Sequence, residues 1–335
     1  MVLTDSLMTY LLEVMLSHLA LTCALLLASV AAIRRFIRES YKVEGFRQKH
    51  VFITGCDSGF GNLLARQLDG KGFLVLAACL TEKGAADLAA ATSSRLKTLL
   101  LDVTDSESIR RGVQFVSREV GGRGLWGLVN NAGRSIPIGP TEWLKLEDFT
   151  KVLDVNLLGV IDVTLQFLPL LKQGQGRVVN VASVLGRLSL TGGGYCLSKW
   201  GVEAFSDSLR RDMHQFGIKV SIIEPGFFKT AVTSVDLIEA DLRKLWTRLP
   251  LEVKDSYGET YLEDYVKAQE FSLGILCSPD ISKVTRCMEH ALTAQFPRTR
   301  YGAGWDAKFF WIPLSYLPSF LSDFFVNMLL PSPKG

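Results

Sequence analysis

From His50 onward, short apolar runs alternate with longer helical stretches, and this alternation limits the possible folds more than any other feature. The runs are rich in Val, Leu and Ile and cover residues 51–54, 74–79, 98–101, 127–130, 177–182 and 219–223. Continuous apolar runs indicate strands that are buried on both faces. The segments between them are long enough for crossovers to parallel neighbours. We therefore predict an α/β protein with a Rossmann-like, doubly wound parallel sheet in a single domain.

An apolar run of 20 residues, 14–33, precedes this region and contains no Asp, Glu, Lys or Arg. At about 1.5 Å per residue, a helix of that length spans about 30 Å, the thickness of a hydrocarbon core. A cleaved signal peptide is the alternative, but this run is longer than the usual apolar stretch of such a peptide, and charges follow it rather than precede it. We predict a retained N-terminal transmembrane anchor over residues 1–33.

Charge is concentrated directly after the apolar run. Residues 34–50 carry six Lys or Arg against two Glu, whereas the whole chain has a net charge of only +3. This segment is predicted to be a basic juxtamembrane linker, which favours a cytoplasmic body, although one weakly counter-charged anchor leaves the facing side open. So small a net charge predicts no nucleic-acid partner. The six Cys and four His show no metal-ligand spacing, so no metal site is predicted.

Two further segments interrupt the α/β pattern of the predicted domain 51–305 and its C-terminal extension 306–335. Residues 231–280 are amphipathic and aromatic, and they are predicted to be a helical, substrate-binding insertion. Residues 309–331 are aromatic and apolar, but Pro313 and Pro318 prevent one clean spanning helix. We expect this apolar C-terminal segment to be a pocket lid or to associate with the membrane, and a core-packing tail is an equal alternative.

A glycine-rich loop follows the first predicted strand and leads into a helix. It reads Thr54-Gly55-Cys56-Asp57-Ser58-Gly59-Phe60-Gly61. Glycines in this position allow a pyrophosphate to approach the backbone, and the helix N-terminus offers free N–H groups. A plain strand–helix turn is the alternative, but the placement in the first βα unit favours a dinucleotide site. The predicted cofactor-binding residues here are Gly55, Asp57, Ser58, Gly59, Phe60 and Gly61.

The choice between NAD and NADP depends on charge near the adenosine ribose. The second predicted strand ends in Ala77-Ala78-Cys79-Leu80, which offers neither a carboxylate nor a base. Asp57 in the glycine loop disfavours a 2′-phosphate, so we predict NAD, with NADP less favoured. Asp102 ends the third predicted strand and is expected on the adenine side, with a helix-capping role as the alternative.

Tyr195 and Lys199 are predicted to share one face of a helix because they are four residues apart. A phenol with a pKa near 10 is a weak base at neutral pH, but a neighbouring ammonium and a cationic nicotinamide would lower that pKa. Ser183 follows the fifth predicted strand, at the sheet edge where α/β folds bind ligands. A Y-x-x-x-K motif alone is weak evidence for a catalytic site.

The combination of motifs resembles the classical short-chain dehydrogenase/reductase family over residues 48–300. The residues that carry the resemblance are the glycine loop, Asn130-Asn131-Ala132-Gly133, Asn156, Ser183, Tyr195, Lys199 and Pro225-Gly226. It implies that Tyr195 is the general acid/base and Ser183 orients and polarises the substrate oxygen, so that both contact substrate. Lys199 would lower the tyrosine pKa and bind the nicotinamide ribose, and Asn156 would hold a helix backbone and a water of a proton relay.

The same resemblance implies further cofactor contacts and a branch of the family. The segment Asn130 to Gly133 would stabilise the sheet and line the adenosine side of the site, with Asn130, Ala132 and Gly133 as cofactor-binding residues. Pro225, Gly226 and Thr230 would surround the nicotinamide, and Tyr195 and Lys199 would also bind the cofactor. Longer segments, such as 123–133 and 298–318, are similar to the membrane-bound retinol and hydroxysteroid dehydrogenase branch.

This branch implies an enzyme with NAD(H), bound by one N-terminal anchor in the endoplasmic reticulum membrane and forming a homodimer. Its implied reaction is oxidation of a membrane-dissolved retinol, such as 11-cis-retinol and other cis isomers, to retinal. A 3α- or 17β-hydroxysteroid dehydrogenase with the same mechanism is the alternative. A membrane-tethered nucleotide-binding scaffold is a third hypothesis, which the complete catalytic set disfavours.

Overall fold

In this computed structural model, which describes residues 2–333, the chain divides into two units. One is Met1–Glu44 with Thr293–Pro297, and the other is Gly45–Leu292 with Arg298–Gly335. Met1 of the predicted anchor segment and residues 334–335 of the predicted C-terminal segment lie outside the described residues.

The first unit is built on a 39-residue helix, α1 (Val2–Ser40), which contains the apolar run 14–33. An 18-residue window within its portion Tyr10–Ser40 has a mean hydropathy of 2.1 and is not buried, so this portion is a candidate membrane span. The hydroxyls of Ser17, Thr22 and Ser29 each donate a hydrogen bond to the carbonyl four residues earlier. These polar side chains are therefore satisfied within the helix, as a bilayer interior requires.

The second unit contains a seven-stranded sheet, in which every neighbouring pair of strands is parallel. The strands are β1 (His50–Ile53), β2 (Leu74–Cys79), β3 (Leu96–Leu100), β4 (Gly127–Asn130), β5 (Arg177–Val181), β6 (Lys219–Pro225) and β7 (Arg300–Ala303), in the order β3-β2-β1-β4-β5-β6-β7. The predicted Rossmann-like, doubly wound α/β fold is confirmed.

Helices cover both faces of this sheet. They are α2 (Gly59–Gly70), α3 (Glu82–Ala90), α4 (Ser106–Val120), α5 (Leu146–Leu153), α6 (Gly159–Gln173), α7 (Gly194–Met213), α8 (Val235–Thr247), α9 (Leu251–Tyr257), α10 (Tyr261–Leu276), α11 (Ser282–Thr293), α12 (Ile312–Leu314) and α13 (Ser319–Asn327). Two turns of π-helix, Asp154–Leu158 and Ala307–Trp311, join α5 to α6 and precede α12.

Strand β1 shows why the apolar runs are continuous. Val51 and Ile53 point to one face of the sheet and pack in a core with Leu64 of α2. Phe52 points to the opposite face and stacks on Phe167 of α6, with ring centroids 4.5 Å apart. Because successive side chains of a strand alternate between faces, a strand covered on both faces needs apolar residues throughout.

The edge strand β7 was not among the predicted strands. Only alternate residues of its short sequence are buried, Tyr301 and Ala303, while Arg300 and Gly302 are half-buried. It therefore lacks the continuous run of aliphatic residues that is typical of the other six strands. Strand β3 also begins earlier than predicted, because Leu96 already pairs with Val75 of β2.

Residues 231–280 form α8, α9 and α10, which pack together around the buried Trp143. Leu242 of α8 and Tyr265 of α10 belong to the same apolar cluster. This cluster forms a wall beside the carboxyl edge of the sheet, which is the edge that bears the candidate site.

The C-terminal segment is broken at only one of Pro313 and Pro318: Pro318 lies directly before α13, whereas Pro313 lies inside α12. Trp311 and Leu314 are buried in a core cluster, whereas Phe320 and Phe324 of α13 are exposed. The segment therefore combines core packing with an exposed apolar face.

Candidate active site

The loop between β1 and α2 has the backbone geometry of a ligand cradle. Gly55 and Gly59 have φ angles of +68° and +61°, a backbone conformation that residues other than glycine rarely adopt. A Cβ atom at Gly61 would lie 2.4 Å from both the Nδ2 of Asn131 and the carbonyl oxygen of Gly55. Ser58 precedes α2 without capping it through its side chain, so the N–H groups of the helix N-terminus remain available to an anion.

A cleft of about 630 Å³ opens from this loop along the carboxyl edge of the sheet. Most of the predicted site residues line it, namely Gly55, Asp57, Ser58, Gly59, Phe60, Asp102, Ala132, Gly133, Ser183, Tyr195, Lys199, Pro225, Gly226 and Thr230. Gly61, Asn130 and Asn156 do not line it. An open helix end, glycines at the closest approach and an elongated cleft fit a dinucleotide.

Asp57 reaches the end of β2, although it belongs to the glycine loop. Its carboxylate accepts hydrogen bonds from the N–H groups of Leu80 and Thr81, at 2.8 and 2.9 Å, and from the Thr81 hydroxyl at 2.7 Å. A carboxylate therefore lies where the sequence of β2 supplies none, beside the expected position of an adenosine ribose.

Asp102 is engaged in a local turn at the end of β3. One oxygen accepts hydrogen bonds from the N–H of Thr104 at 2.9 Å and from its hydroxyl at 2.8 Å. Asp105, and not Asp102, caps α4 by accepting from the N–H of Glu107. The helix-capping alternative for Asp102 is therefore wrong, and the residue lines the cleft instead.

Thr54 and Asn131 are two further residues that hold the glycine loop against β4. The Thr54 hydroxyl oxygen accepts hydrogen bonds from the N–H groups of Asn131 and Ala132, at 3.0 and 3.1 Å. The side-chain amide of Asn131 donates to the carbonyls of Thr54 and Gly55, both at 2.9 Å. Asn131 belongs to the segment 130–133 that was predicted to stabilise the sheet, whereas no role was predicted for Thr54.

Asn130 lies inside the sheet, which corrects its predicted contact with the cofactor. Its amide donates to the Thr164 hydroxyl and to the side-chain oxygen of Asn180, both at 2.8 Å. Neighbouring residues at a strand end point to opposite faces, so only Asn131 of the pair is directed to the cleft. Asn130 joins β4, β5 and α6 instead.

Asn156 occupies the π-helical turn between α5 and α6 and is fully buried. Its side-chain oxygen accepts from the N–H of Arg134 at 2.9 Å, and its amide donates to the Arg134 carbonyl at 2.8 Å. The amide also donates to the Ser198 hydroxyl at 3.1 Å. Asn156 therefore fixes the loop after β4 to the helix that carries Tyr195 and Lys199.

Three of the four predicted catalytic residues meet at the cleft. Ser183 and Tyr195 both line the cleft, and the Ser183 side chain acts to lower the pKa of the Tyr195 phenol. The Ser183 hydroxyl oxygen accepts the N–H of Leu185 at 3.1 Å, which fixes its orientation. The Lys199 ammonium lies 5.6 Å from the centroid of the Tyr195 ring and donates to the Val181 carbonyl at 2.9 Å.

Burial is the dominant influence on the two titratable groups. It raises the pKa of Tyr195 to about 12, against which the Ser183 side chain acts. It also lowers the pKa of Lys199 to about 8. Lys199 is not among the groups that shift the pKa of Tyr195, and its ammonium donates to the Val181 carbonyl. The neutral phenol is therefore the favoured form in the free protein.

A second cavity, of about 120 Å³, adjoins the cleft and shares Ser183, Tyr195 and Gly226 with it. The rest of its wall is mainly apolar and includes Leu185, Phe227, Leu273, Trp311 and Leu330. The hydroxyl pair thus lies between a dinucleotide-shaped cleft and an apolar chamber. This arrangement suits hydride transfer to or from an apolar alcohol or carbonyl compound.

A buried charge network lies behind the site and was missed in the sequence. Arg187 contacts Glu224 of β6 at 3.0 Å, and Arg300 of β7 contacts Glu203 of α7 at 3.0 Å. Burial and the neighbouring Glu224 raise the pKa of Glu203 to about 7. The first pair joins the segment after β5 to β6, directly before Pro225 and Gly226, and the second joins β7 to α7. An acidic residue within the apolar run of β6 was the available signal.

Comparison with known proteins gives the same family as the motifs. The model of the short chain dehydrogenase family matches residues 49–238. The chain is 63% identical to retinol dehydrogenase 7 of Rattus norvegicus, covering 86% of this chain and 91% of that protein. It is 57% identical to retinol dehydrogenase 5 of Homo sapiens, with 84% and 89% covered. Identity to 17-beta-hydroxysteroid dehydrogenase type 6 of Homo sapiens is 54%, with 88% and 93% covered.

The fold is also similar to a solved structure, a short-chain dehydrogenase from Streptomyces avermitilis. The TM-score is 0.63 at 25% identity, with 84% of this chain and 93% of that chain covered. Members of this family use NAD(P) as the redox cofactor, and the cleft beside the glycine loop fits it. The chain therefore belongs to the short-chain dehydrogenase family, in the branch that includes these retinol and hydroxysteroid dehydrogenases, and it is an oxidoreductase.

Proposed function

We propose that this protein is an NAD-dependent dehydrogenase that oxidises a membrane-dissolved retinol, 11-cis-retinol and other cis isomers included, to retinal. One observation carries the proposal: the Ser183–Tyr195 hydroxyl pair lies where an apolar cavity meets the dinucleotide cleft. The names of the retinol dehydrogenases that share most of its length support this substrate class. A 3α- or 17β-hydroxysteroid is the second candidate, supported by the related 17-beta-hydroxysteroid dehydrogenase.

In the proposed mechanism, the substrate hydroxyl lies against Ser183 and Tyr195. Bound NAD supplies the hydride acceptor and adds a positive charge to the site. The Ser183 hydroxyl orients the substrate oxygen, and the Tyr195 oxygen takes its proton as general base. Lys199 holds an ammonium beside the Tyr195 ring and would also bind the nicotinamide ribose. Positive charge close to the phenol favours phenolate and so opposes the effect of burial on the pKa of Tyr195.

The remaining predicted residues are proposed to position the cofactor. Gly55, Ser58 and Gly59 would hold the pyrophosphate at the N-terminus of α2. The Asp57 carboxylate at the end of β2 would accept from a ribose hydroxyl and repel a 2′-phosphate, which favours NAD over NADP.

The other cleft residues are proposed to contact the two ends of the dinucleotide. Asp102, Ala132 and Gly133 would lie on its adenine side. Pro225, Gly226, Thr230 and Phe60 would enclose its nicotinamide side.

The two directions of the reaction should differ in their dependence on pH. Since burial raises the pKa of Tyr195 to about 12, only a small fraction of phenolate is present at neutral pH, and this fraction grows as the pH rises, whereas nearly all of the residue stays a neutral phenol. We expect kcat for alcohol oxidation, which needs the base, to rise between pH 6 and 8, and kcat for aldehyde reduction, which needs the acid, to stay level over the same range. Steady-state rates at saturating cofactor would measure this. A flat oxidation profile would argue against Tyr195 as the base.

Membrane attachment is proposed through α1, with the endoplasmic reticulum as the location. The exposed and apolar Tyr10–Ser40 portion supports a single N-terminal anchor. We further propose that the C-terminal segment contacts lipid, because Phe309, Phe320, Phe324 and Met328 expose most of their side-chain surface. This contact would place the apolar cavity close to the phase that dissolves its substrate.

A homodimer is proposed through the helices that carry Asn156 and Tyr195. Four apolar side chains remain about half exposed in this region: Leu158 and Leu165 on the Asn156 side, and Leu197 and Trp200 on α7. Exposed apolar groups on adjacent helices are typical of a surface that pairs with a second subunit.

The test of the proposed function is a substrate and cofactor panel with the full chain in detergent or native membranes. The panel contains 11-cis-retinol, all-trans-retinol and a 3α-hydroxysteroid, each with NAD and with NADP. We expect turnover of retinol and at least about tenfold higher kcat/KM with NAD, because a carboxylate beside the ribose disfavours the phosphate by more than about 1.4 kcal/mol. Turnover of the steroid alone would replace retinol with the second candidate, and equal use of NADP would remove the role given to Asp57.

A further inference from the structure

The apolar cavity contains several polar side chains, and most of them are already satisfied within the protein. The Ser135 hydroxyl donates to the Val232 carbonyl at 2.7 Å, and the Thr233 hydroxyl donates to the Phe228 carbonyl at 2.6 Å. The Thr191 hydroxyl shares a hydrogen bond of 3.3 Å with the Tyr265 hydroxyl. None of these groups needs a ligand.

Gln269 and Ser272 of α10 are different. Both side chains line the cavity and both are half-buried, yet neither forms a hydrogen bond with any residue in the described part of the chain. Leu273 and Leu276 line the cavity from the same helix. With spacings of three and four residues, these four side chains share one face of α10. A primary amide and a hydroxyl are thus presented, unpaired, on an apolar wall.

An apolar ligand that filled the cavity would remove water from these groups without replacing its hydrogen bonds, and unpaired buried polar groups are costly. A ligand with a hydrogen-bonding oxygen at that point would avoid this cost. Gln269 offers two donors and an acceptor, and Ser272 offers one donor and two lone pairs. The pair can therefore bind either a hydroxyl or a carbonyl oxygen.

We propose that Gln269 and Ser272 form a second polar subsite, which binds an oxygen of the substrate other than the one that reacts. Ser183 and Tyr195 hold the reacting oxygen from the end of β5 and from α7, and the subsite lies on α10 in the same cavity. This inference rests on the proposed function and extends it. The site would accept apolar alcohols that carry a second oxygen, such as 3α-hydroxysteroids oxygenated at their far ring, besides alcohols such as retinol whose far end is a hydrocarbon.

A matched pair of steroids tests the subsite in the wild-type protein. One is a saturated 3α-hydroxysteroid with an oxygen at the far ring, and the other is the same compound without that oxygen. The subsite predicts a kcat/KM about tenfold higher for the first compound, as expected for one neutral hydrogen bond. Equal kcat/KM values would overturn the proposal.

Variants of the two residues test the assignment. In Gln269→Leu/Ser272→Ala, kcat/KM for the two-oxygen steroid should fall about tenfold, whereas values for the one-oxygen steroid and retinol should stay level or rise, because the variant removes the polar groups that these ligands leave unpaired. Glu270→Leu is the matched control, because Glu270 is exposed on the same helix and does not line the cavity. The milder single variants Gln269→Met and Ser272→Ala serve if the double variant fails to fold. If kcat/KM fell equally for both steroids in these variants, the result would contradict a subsite.

The subsite and the proposed function can fail separately. If no alcohol in the panel is oxidised, the proposed function fails. Quenching of tryptophan fluorescence by the two steroids would still test the subsite, since Trp311 lines the cavity. Tighter binding of the two-oxygen steroid to the wild type but not to the variant is the result expected. Equal affinities throughout would reject the subsite whatever the turnover.

Discussion

Replacing Tyr195 with phenylalanine is expected to lower kcat for alcohol oxidation by about 10²- to 10⁴-fold, the usual contribution of general acid–base catalysis. The variant removes only the phenol hydroxyl, at the junction of the cleft and the apolar cavity. The ring remains beside the Lys199 ammonium, so the shape of the cleft is retained. The dissociation constant for NADH, measured by fluorescence titration, should therefore change by less than about twofold, because no group assigned to the cofactor phosphates is altered.

Tyr265→Phe is the control for this experiment. Tyr265 is also buried beside the cavity, but its hydroxyl contacts only Thr191 among the groups described above. Loss of that hydroxyl should leave kcat within about threefold, because the one neutral hydrogen bond that is removed does not involve Ser183, Tyr195 or Lys199. If Tyr195→Phe retained more than about a tenth of the wild-type kcat, Tyr195 would not be the base.

The second large effect is expected at Gly61, which packs α2 against the glycine loop. In Gly61→Ala the new Cβ would lie 2.4 Å from the Gly55 carbonyl oxygen and from the Asn131 amide. These two groups are hydrogen-bonded to each other, so the loop has to move as a unit. We expect the dissociation constant for NADH to rise at least about tenfold and the free energy of unfolding to fall by about 1–3 kcal/mol, as for other overpacked sites.

Gly70→Ala is the matched control, since Gly70 lies at the other end of α2 and a Cβ there meets no atom within 4 Å. The added methyl group should leave NADH binding unchanged and stabilise the helix slightly. Fluorescence titration and thermal unfolding of both variants give the comparison. Normal NADH affinity in Gly61→Ala would show that the loop tolerates a side chain and that its glycines do not shape the cofactor site.

The sheet could be predicted from the sequence because its inner strands are buried on both faces. Phe52 packs on one face of β1, and Val51 and Ile53 pack on the other, so three consecutive residues of this strand are apolar. The edge strand β7 was not predicted because half of its residues are not buried, so its sequence resembles that of a loop. Strand order and the pairing of β7 with β6 depend on contacts between distant residues, which local patterns do not encode.

The site residues could be found from motifs, but not all of their contacts could. Spacing along α7 placed Tyr195 and Lys199 on one face, yet it could not show that the ammonium bonds to the Val181 carbonyl. Similarly, Asp57 lies in the glycine loop in sequence and beside Thr81 at the end of β2 in space. The free energies of such long-range contacts depend on the folded geometry, and the pKa of Tyr195 depends on burial that the sequence does not specify.

In the proposed reaction this protein removes a hydride from the carbinol carbon of an apolar alcohol, with Tyr195 taking the hydroxyl proton. The decisive experiment supplies the full chain in detergent with NAD and with retinol that carries two deuterium atoms on the carbinol carbon. We expect one deuterium in the NADH for each retinal formed, and loss of both products in Tyr195→Phe. Retinal formed without deuterium in the NADH, or formed equally fast by the variant, would contradict the proposed reaction.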